Sequence, residues 1–179
     1  DDGVSGNQLS TLVYDDASQP GFRITTITDR TGHSRQYIHD SSYQLVQVID
    51  ELGNQTQIAY DADGNRTGIT DAAGHATTMT YDSRSNLLTS TDAGGHTTTM
   101  TYDDRNNLLS IQNAAGRTLT NIYDTNNRLT SITDPANGVT GFTYNADGLL
   151  ASKTFPRGGI TSYAYQNGLL NSQTDPTGR

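Results

Sequence analysis

Short runs of alternating apolar and polar residues recur along the chain between turn residues, and no segment sustains a 3.6-residue period. In Ala76–Tyr81, Thr77, Met79 and Tyr81 share one parity, while Ala76, Thr78 and Thr80 share the other. The same parity returns in Thr98, Met100 and Tyr102, in Thr140, Phe142 and Tyr144, and in Thr161, Tyr163 and Tyr165. A period of two in Thr-, Tyr- and Ile-rich runs predicts strands. One face is aromatic and apolar, and the other carries Thr, Ser, Ala and Gln. Ala76–Tyr81 and Thr97–Tyr102 represent one strand of a unit; Leu87–Thr91 and Leu129–Thr133 represent the other. Leu119, Asn121 and Ile122 break the alternation, which predicts a one-residue shift or a bulge in that unit.

The turns between these runs keep step. Asp29–Gly32, Asp50–Gly53, Asp71–Gly74 and Asp92–Gly95 follow one another every 21 residues. Asn113–Gly116, Asp134 and Phe155–Gly158 continue the series, and Asp175–Gly178 comes after a step of 20. A second marker, an aromatic followed by Asp or Asn, runs in phase at Tyr60-Asp61, Tyr81-Asp82, Tyr102-Asp103, Tyr123-Asp124 and Tyr144-Asn145. It extends back to His39-Asp40 and forward to Tyr165-Gln166. A fixed period of this size marks a repeat architecture, whose units bury their faces only against neighbours.

Asp-x-x-Gly fits a type I turn whose Gly takes the left-handed position of a three-residue hairpin loop. Pro135 and Pro176 suit its second position. The other turn carries Asp63-Gly64, Asn106-Asn107, Asp147-Gly148 and Asn167-Gly168, which predict type I′ turns. Two strands per unit give about 16 strands in an antiparallel meander, and a twisted sheet that wide tends to curl. The expected fold is all-β: 21-residue β-hairpin units forming a curved single-layer strip.

Composition sharpens this. Leu, Ile, Val and Phe make up about 18% of the 179 residues, a value at which disorder is the default expectation. A net charge of −8 is modest for the length, and the apolar residues recur in phase. A thin layer with little core per residue satisfies both. There is no Cys, so no disulfide framework is expected. No apolar run is long enough for a membrane-spanning helix, and Asp1-Asp2-Gly3 does not open a signal peptide. The acidic balance without Lys/Arg clusters argues against nucleic acid as a partner. Residues 1–13 are read as an incomplete N-terminal unit and residues 14–179 as an array truncated at its C-terminus.

Candidate chemistry is sparse. His33, His75 and His96 each follow a turn Gly, and Arg117 takes the same slot. Equivalent positions in adjacent units are separated by two strand spacings, roughly 9–10 Å, too far for a shared ion. Asp61-Ala62-Asp63-Gly64-Asn65 resembles the start of a calcium loop, but Gly falls fourth and Ala72 stands where the bidentate Glu belongs; a hairpin turn fits better. No nucleophile, P-loop or dinucleotide motif is present. No catalytic, cofactor-binding or metal residue is therefore assigned, no cofactor is expected, and the chain is read as a non-enzyme. The recurring Tyr could stack on sugar rings, but their structural phase favours cross-strand packing.

The repeat resembles the YD-repeat, or Rhs-repeat, family. Tyr123-Asp124-Thr125-Asn126-Asn127-Arg128-Leu129-Thr130-Ser131-Ile132-Thr133-Asp134-Pro135 and Tyr60-Asp61-Ala62-Asp63-Gly64-Asn65-Arg66 carry the likeness, which extends from about residue 14 to the C-terminus. His39, Asn145, Gln166 and Phe155 depart from it at the marker positions, Asn137 stands where the turn Gly belongs, and Ser18–Ile24 is longer than a regular unit. The resemblance implies a strip wound into a hollow shell around a C-terminal toxic effector, as in bacterial polymorphic toxins and Tc toxins. The protein would be secreted or at the bacterial cell surface, with the remaining repeats and the effector as partners. The related barrels of teneurins imply an alternative, a cell-surface module binding glycans or a protein. Many Rhs shells end in a self-cleaving motif framed by Asp-Pro-x-Gly; Asp134-Pro135 has an inserted residue and Asp175-Pro176 is followed only by Thr177, Gly178 and Arg179, so both are read as turns. Gln8–Tyr14 and Gly159–Tyr165 are the expected boundary strands, open to self-association.

Overall fold

The computed structural model describes residues 11–15 and 21–179. Its regular elements are all strands: β1 (Thr11–Asp15), β2 (Arg23–Thr28), β3 (Ser34–His39), β4 (Leu45–Ile49), β5 (Gln55–Tyr60), β6 (Arg66–Thr70), β7 (Ala76–Tyr81) and β8 (Leu87–Thr91). They continue as β9 (Thr97–Tyr102), β10 (Leu108–Gln112), β11 (Thr118–Tyr123), β12 (Leu129–Thr133), β13 (Val139–Tyr144), β14 (Leu150–Thr154), β15 (Ile160–Gln166) and β16 (Leu169–Thr174). Two compact units divide the chain: one runs to Tyr81 and includes Ser90–Gly95, and the other comprises Asp82–Thr89 and His96–Arg179. Within the first, β1 to β7 pair antiparallel in succession. Within the second, β9 to β16 do the same. The proposed boundary at residue 13 falls inside β1, and residues 1–10, with Gln8–Ser10 of the expected first strand, lie outside the described residues.

One side-chain geometry explains both sequence markers. In the Asp-x-x-Gly turn at Asp71, the Gly74 N–H donates to the Asp71 carbonyl and the Asp71 N–H to the His75 carbonyl, both at 3.0 Å. Asp71 Oδ1 then accepts the N–H groups of Ala73 and His75, both at 2.9 Å. The Tyr-Asp turn at Asp103 repeats this. Asn106 and Asp103 make the same backbone pair, and Asp103 Oδ1 accepts the N–H of Arg105 and of Asn107. A short side chain with a carbonyl-type oxygen is what this arrangement needs, so Asn113 and Asn145 replace Asp without loss. Phe155 keeps the backbone bonds only.

Here the structure corrects one expectation. The Tyr-Asp turns are type I turns with one left-handed residue, not type I′ turns, which need two. Gly64, Asn106 and Gly148 have φ near +85°, +64° and +81°, while Asp63, Asn107 and Asp147 are not left-handed. Only Asn167-Gly168, at +53° and +77°, fits type I′. There Gln166 pairs directly with Leu169, leaving a two-residue loop. The step of 20 in the sequence is thus one loop residue removed, with the strands on either side intact.

The hairpins β3–β4, β5–β6, β9–β10, β11–β12, β13–β14 and β15–β16 also carry a β-bulge close to their turn. In β11–β12, Tyr123 pairs with Leu129 and Ile122 with Ser131, so Thr130 is extra. Val46, Thr67, Leu109, Ala151 and Asn171 occupy the same place elsewhere. The bulge sets two residues against one and steps the register by one. The shift expected for the Leu119 unit is therefore not special to it. β11 keeps the common register; Leu119, Asn121 and Tyr123 are half-buried on one face and Ile122 is exposed on the other. The Asn121 amide is accommodated because Nδ2 donates to the Leu108 carbonyl at 2.9 Å.

The boundary expectation is also corrected. β15 lies between β14 and β16, and the last strand is β16, exposed along its whole length. Among the described residues only Ile38 and Thr161 are buried. The sheet is therefore held by its ladder and by half-buried side chains rather than by an enclosed core.

Candidate functional site: the tyrosine row and the turns beside it

In β5, β7, β9 and β11 the two faces differ in exposure as the alternation predicts, whereas in β4, β8, β12 and β14 every residue is half-buried. In β7, Thr77, Met79 and Tyr81 are half-buried while Thr78 and Thr80 are exposed. β9 repeats the pattern. Four tyrosines on the half-buried face are tied through their hydroxyls, each of which reaches the carbonyl that opens the second strand of the preceding hairpin. Tyr60 donates to Leu45 at 3.1 Å, Tyr81 to Arg66 at 2.9 Å, Tyr123 to Leu108 at 3.2 Å and Tyr144 to Leu129 at 2.8 Å. Each bond links two successive repeats. Burial raises the pKa of the Tyr102 phenol, with a further contribution from the charge of Asp82. The aromatic row is a packing device, and these hydroxyls are already engaged.

Beside it runs a polar row that sequence reasoning missed. In the second unit, Asn86 Nδ2 donates to Asp82 Oδ2 and to Asn106 Oδ1, both at 2.9 Å. Asn107 repeats this one unit on, donating to Asp103 Oδ2 at 2.9 Å and to Asn127 Oδ1 at 3.1 Å. Arg84 reaches the Asp103 carbonyl and Arg105 the Thr125 carbonyl. The row ends on Arg128, which meets Asp124 Oδ2 at 2.7 Å and lies 4.8 Å from the centre of the Tyr144 ring. The signal was present: Asn65, Asn86 and Asn107 recur every 21 residues, but a turn explained each one locally.

These carboxylates titrate low. Asp61, Asp82 and Asp103 are lowered chiefly by the amides of Asn65, Asn86 and Asn107. Asp124 is lowered chiefly by the Arg128 N–H, and Asp175 by the Arg179 N–H. Their lone pairs are committed to the turns, which suits anchors better than proton-transfer groups.

The histidines sit in the turns where the sequence placed them. His75 Nδ1 meets Asp71 Oδ2 at 2.9 Å, and the Asp71 carboxyl is lowered chiefly by that contact. His33 Nδ1 lies 2.6 Å from Thr31 Oγ1 and 3.6 Å from Asp29 Oδ2. Each of these imidazoles partners its own turn. Among the described residues, no three of His, Cys, Asp and Glu are gathered around a common point. Asp134 Oδ1 accepts from Ala136 and Gly138, and Asp175 Oδ1 from Thr177 and Arg179. No residue is inserted in the Asp134 turn, contrary to the sequence expectation: Asn137, with φ near +65°, replaces the turn Gly, and Gly138 occupies the slot that His75 holds in its own turn.

A repeated two-faced hairpin with hydroxyl and amide bonds between successive units defines an all-β repeat protein. The RHS Repeat family profile matches residues 60–96, 81–118, 123–158 and 144–179, more than half of the chain, and the chain belongs to that family. Among solved structures it is similar to TcdB2-TccC3-Cdc42, at 15% identity and a TM-score of 0.65, covering 88% of this chain and 11% of that one. The Photorhabdus luminescens Tc holotoxin pore matches at 16% identity and 0.65, again over 88% and 11%. TcdB2-TccC3 matches at 15% and 0.65, over 89% and 11%. These likenesses show the fold, and the chain spans about 11% of the length of those structures. No curated protein is a significant match. Among the described residues no helix is long and apolar enough to cross a membrane.

Proposed function

We propose that this chain is a wall segment of an Rhs/YD-repeat shell, secreted or carried on a bacterial surface, that encloses a toxic effector until delivery. Its role is structural and it catalyses no reaction. The observation that carries this reading is the segregation of the two faces, kept from repeat to repeat. A wall that separates contents from solvent needs two chemically different sides, and a meander with bonds between successive repeats supplies them without a solid core. The partners are further repeats, paired at the exposed strands β1 and β16, and the effector. The test is protease protection of the parent polypeptide, expressed with the sequence that follows this segment. Protection of a C-terminal domain, lost when the repeats are nicked, supports the reading; equal digestion of that domain with and without intact repeats sinks it.

A second reading, an adhesion module for a glycan or a protein, is favoured by Tyr14 and Tyr43, which stand 72% and 65% exposed. Binding to immobilised cells or glycans without any protected domain would select it.

A further inference from the structure

We propose that Asn167-Gly168 is a self-modification site, where the chain spontaneously exchanges the Asn167 amide for a carboxyl and thereby releases β16 from β15. The chain holds two Asn-Gly dipeptides, Asn137-Gly138 and Asn167-Gly168. A glycine after asparagine leaves its backbone nitrogen unhindered, because it carries no Cβ. That nitrogen is the nucleophile. The Gly N bonds to the Asn Cγ, the Cγ–Nδ2 bond breaks, and Nδ2 leaves as ammonia with the proton that the Gly N–H gave up. Water then opens the cyclic imide at either carbonyl. Opening at the former side-chain carbon yields aspartate. Opening at the main-chain carbon yields isoaspartate, whose backbone is longer by one methylene. The sum is one water consumed and one ammonia released, with nothing oxidised or reduced.

The three-residue turns block this step. The Gly138 N–H donates to Asp134 Oδ1 at 2.8 Å. At Asp63-Gly64 and Asp147-Gly148, which can form the same imide by loss of water, the Gly N–H donates to the Asp61 and Asn145 carbonyls at 3.2 and 3.0 Å. An N–H held by an acceptor is harder to deprotonate, and a carboxylate holds it hardest. In each of these turns the protection comes from the Asp or Asn that opens it. The two-residue loop has no such residue. Gln166 opens it, Asn167 and Gly168 follow, and Gln166 pairs with Leu169. Neither the Gly168 N–H nor the Asn167 amide has a hydrogen-bond partner among the described residues. The loop residue lost at the step of 20 thus removes the guard and leaves the dipeptide.

Ring closure also requires the loop to leave its turn geometry, and the hairpin that carries Asn167 is weakly held. β16 is exposed along its whole length, and among the described residues it pairs with β15 alone. Segments with few buried contacts open locally at low free energy. Exposure of the asparagine does not separate the two sites, since Asn137 and Asn167 are both exposed; Gly138 is half-buried and Gly168 is exposed. The products act on the strand differently. Aspartate adds a charge and keeps the backbone length. Isoaspartate lengthens a loop whose two residues are matched to the Gln166–Leu169 pair, so the register of β16 on β15 is lost. This site depends on neither reading of the whole molecule, and failure of its test would leave the protease-protection result unaffected.

The test is to age the intact chain in neutral buffer and follow both dipeptides by peptide-mapping mass spectrometry. Asn167 should convert about tenfold faster than Asn137 or more, the ratio expected when one hydrogen bond to a carboxylate guards the slower site. In concentrated urea, where neither turn is formed, the two sites should convert at similar rates. Asp134→Ala removes the acceptor of the Gly138 N–H and should bring Asn137 up towards the Asn167 rate. Amide hydrogen exchange of β16 should quicken in the isoaspartate fraction of the aged chain and stay at the parent rate in Asn167→Asp, which adds the charge without the extra methylene. Equal rates at the two sites in the folded chain, a ratio that persists in urea, an Asn137 rate untouched by Asp134→Ala, or unchanged β16 exchange in the isoaspartate fraction would each overturn the proposal.

Discussion

The hydroxyl of Tyr123 donates to the carbonyl of Leu108 at 3.2 Å, spanning 15 residues and joining one repeat to the one before it. Tyr144 makes the same bond to Leu129. Because the rings are only half-buried, these bonds and the neighbouring ladder do much of what a core does in a two-layer protein. Replacing Tyr123 or Tyr144 by Phe removes the bond and keeps the ring. Each substitution should cost about 1 kcal/mol, read as a lower midpoint in urea at unchanged slope. No loss in either variant would show that the hydroxyls are incidental.

The asparagine row should behave as a coupled series. Asn127→Gly preserves the left-handed turn and removes the acceptor for Asn107 and Arg105. A double-mutant cycle with Asn107→Ala should give a coupling of about 0.5 kcal/mol. Additive effects would mean that the turns stand independently.

Left-handed turn positions can be tested apart from packing. At Gly116, with φ near +74°, nothing lies within 4 Å of where a Cβ would stand. A substitution there reports backbone strain alone. Gly116→Val should destabilise by about 1–2 kcal/mol, whereas Gly116→Asn should be nearly neutral, because Asn occupies the same position at Asn106 and Asn127. Equal effects of the two would contradict the turn assignment.

Acid should loosen the sheet from its turns. The folded state lowers the pKa of Asp50, Asp61, Asp71, Asp82, Asp103 and Asp124. The stabilisation is therefore complete above the ordinary carboxyl value of about 4 and is lost as pH falls through the depressed folded values. Melting temperature should be flat from neutral pH to about 5 and drop below about 4. A stability that rises on acidification would reverse the sign and refute this account.

Strand ends offer the last test. Leu169 and Leu170 on β16 are 75% and 56% exposed, and among the described residues β16 has a hydrogen-bonded neighbour on one side only. Unpaired edges recruit further strands. Sedimentation should show concentration-dependent association, reduced in Leu170→Lys. A monomer at every concentration would show that the edge is protected.

Most of the architecture was legible in the chain. The 21-residue period placed the turns, and the strands over Ala76–Tyr81, Leu87–Thr91, Thr97–Tyr102 and Leu129–Thr133 fell on the predicted residues. Alternation identified the half-buried face because side-chain parity along a strand is a local property. Asp and Gly marked the turns because carbonyl-type oxygens and left-handed backbones are local needs too.

What the sequence left open depends on which residue meets which across strands. The type of the Tyr-Asp turn was misread because Asp-Gly fits both a two-residue and a three-residue loop; the pairing of Asp61 with Asn65 decides between them. The bulge at Thr130 and its equivalents leaves no compositional mark, since Thr, Val, Leu, Ala and Asn all occupy it. The Asn107–Asn127 contact arises only when register brings distant positions together. Periodicity thus determined the elements and their faces. Tertiary pairing alone decided the turn class and the bonds between repeats, because hydrogen bonds depend on separations in space that sequence spacing does not encode.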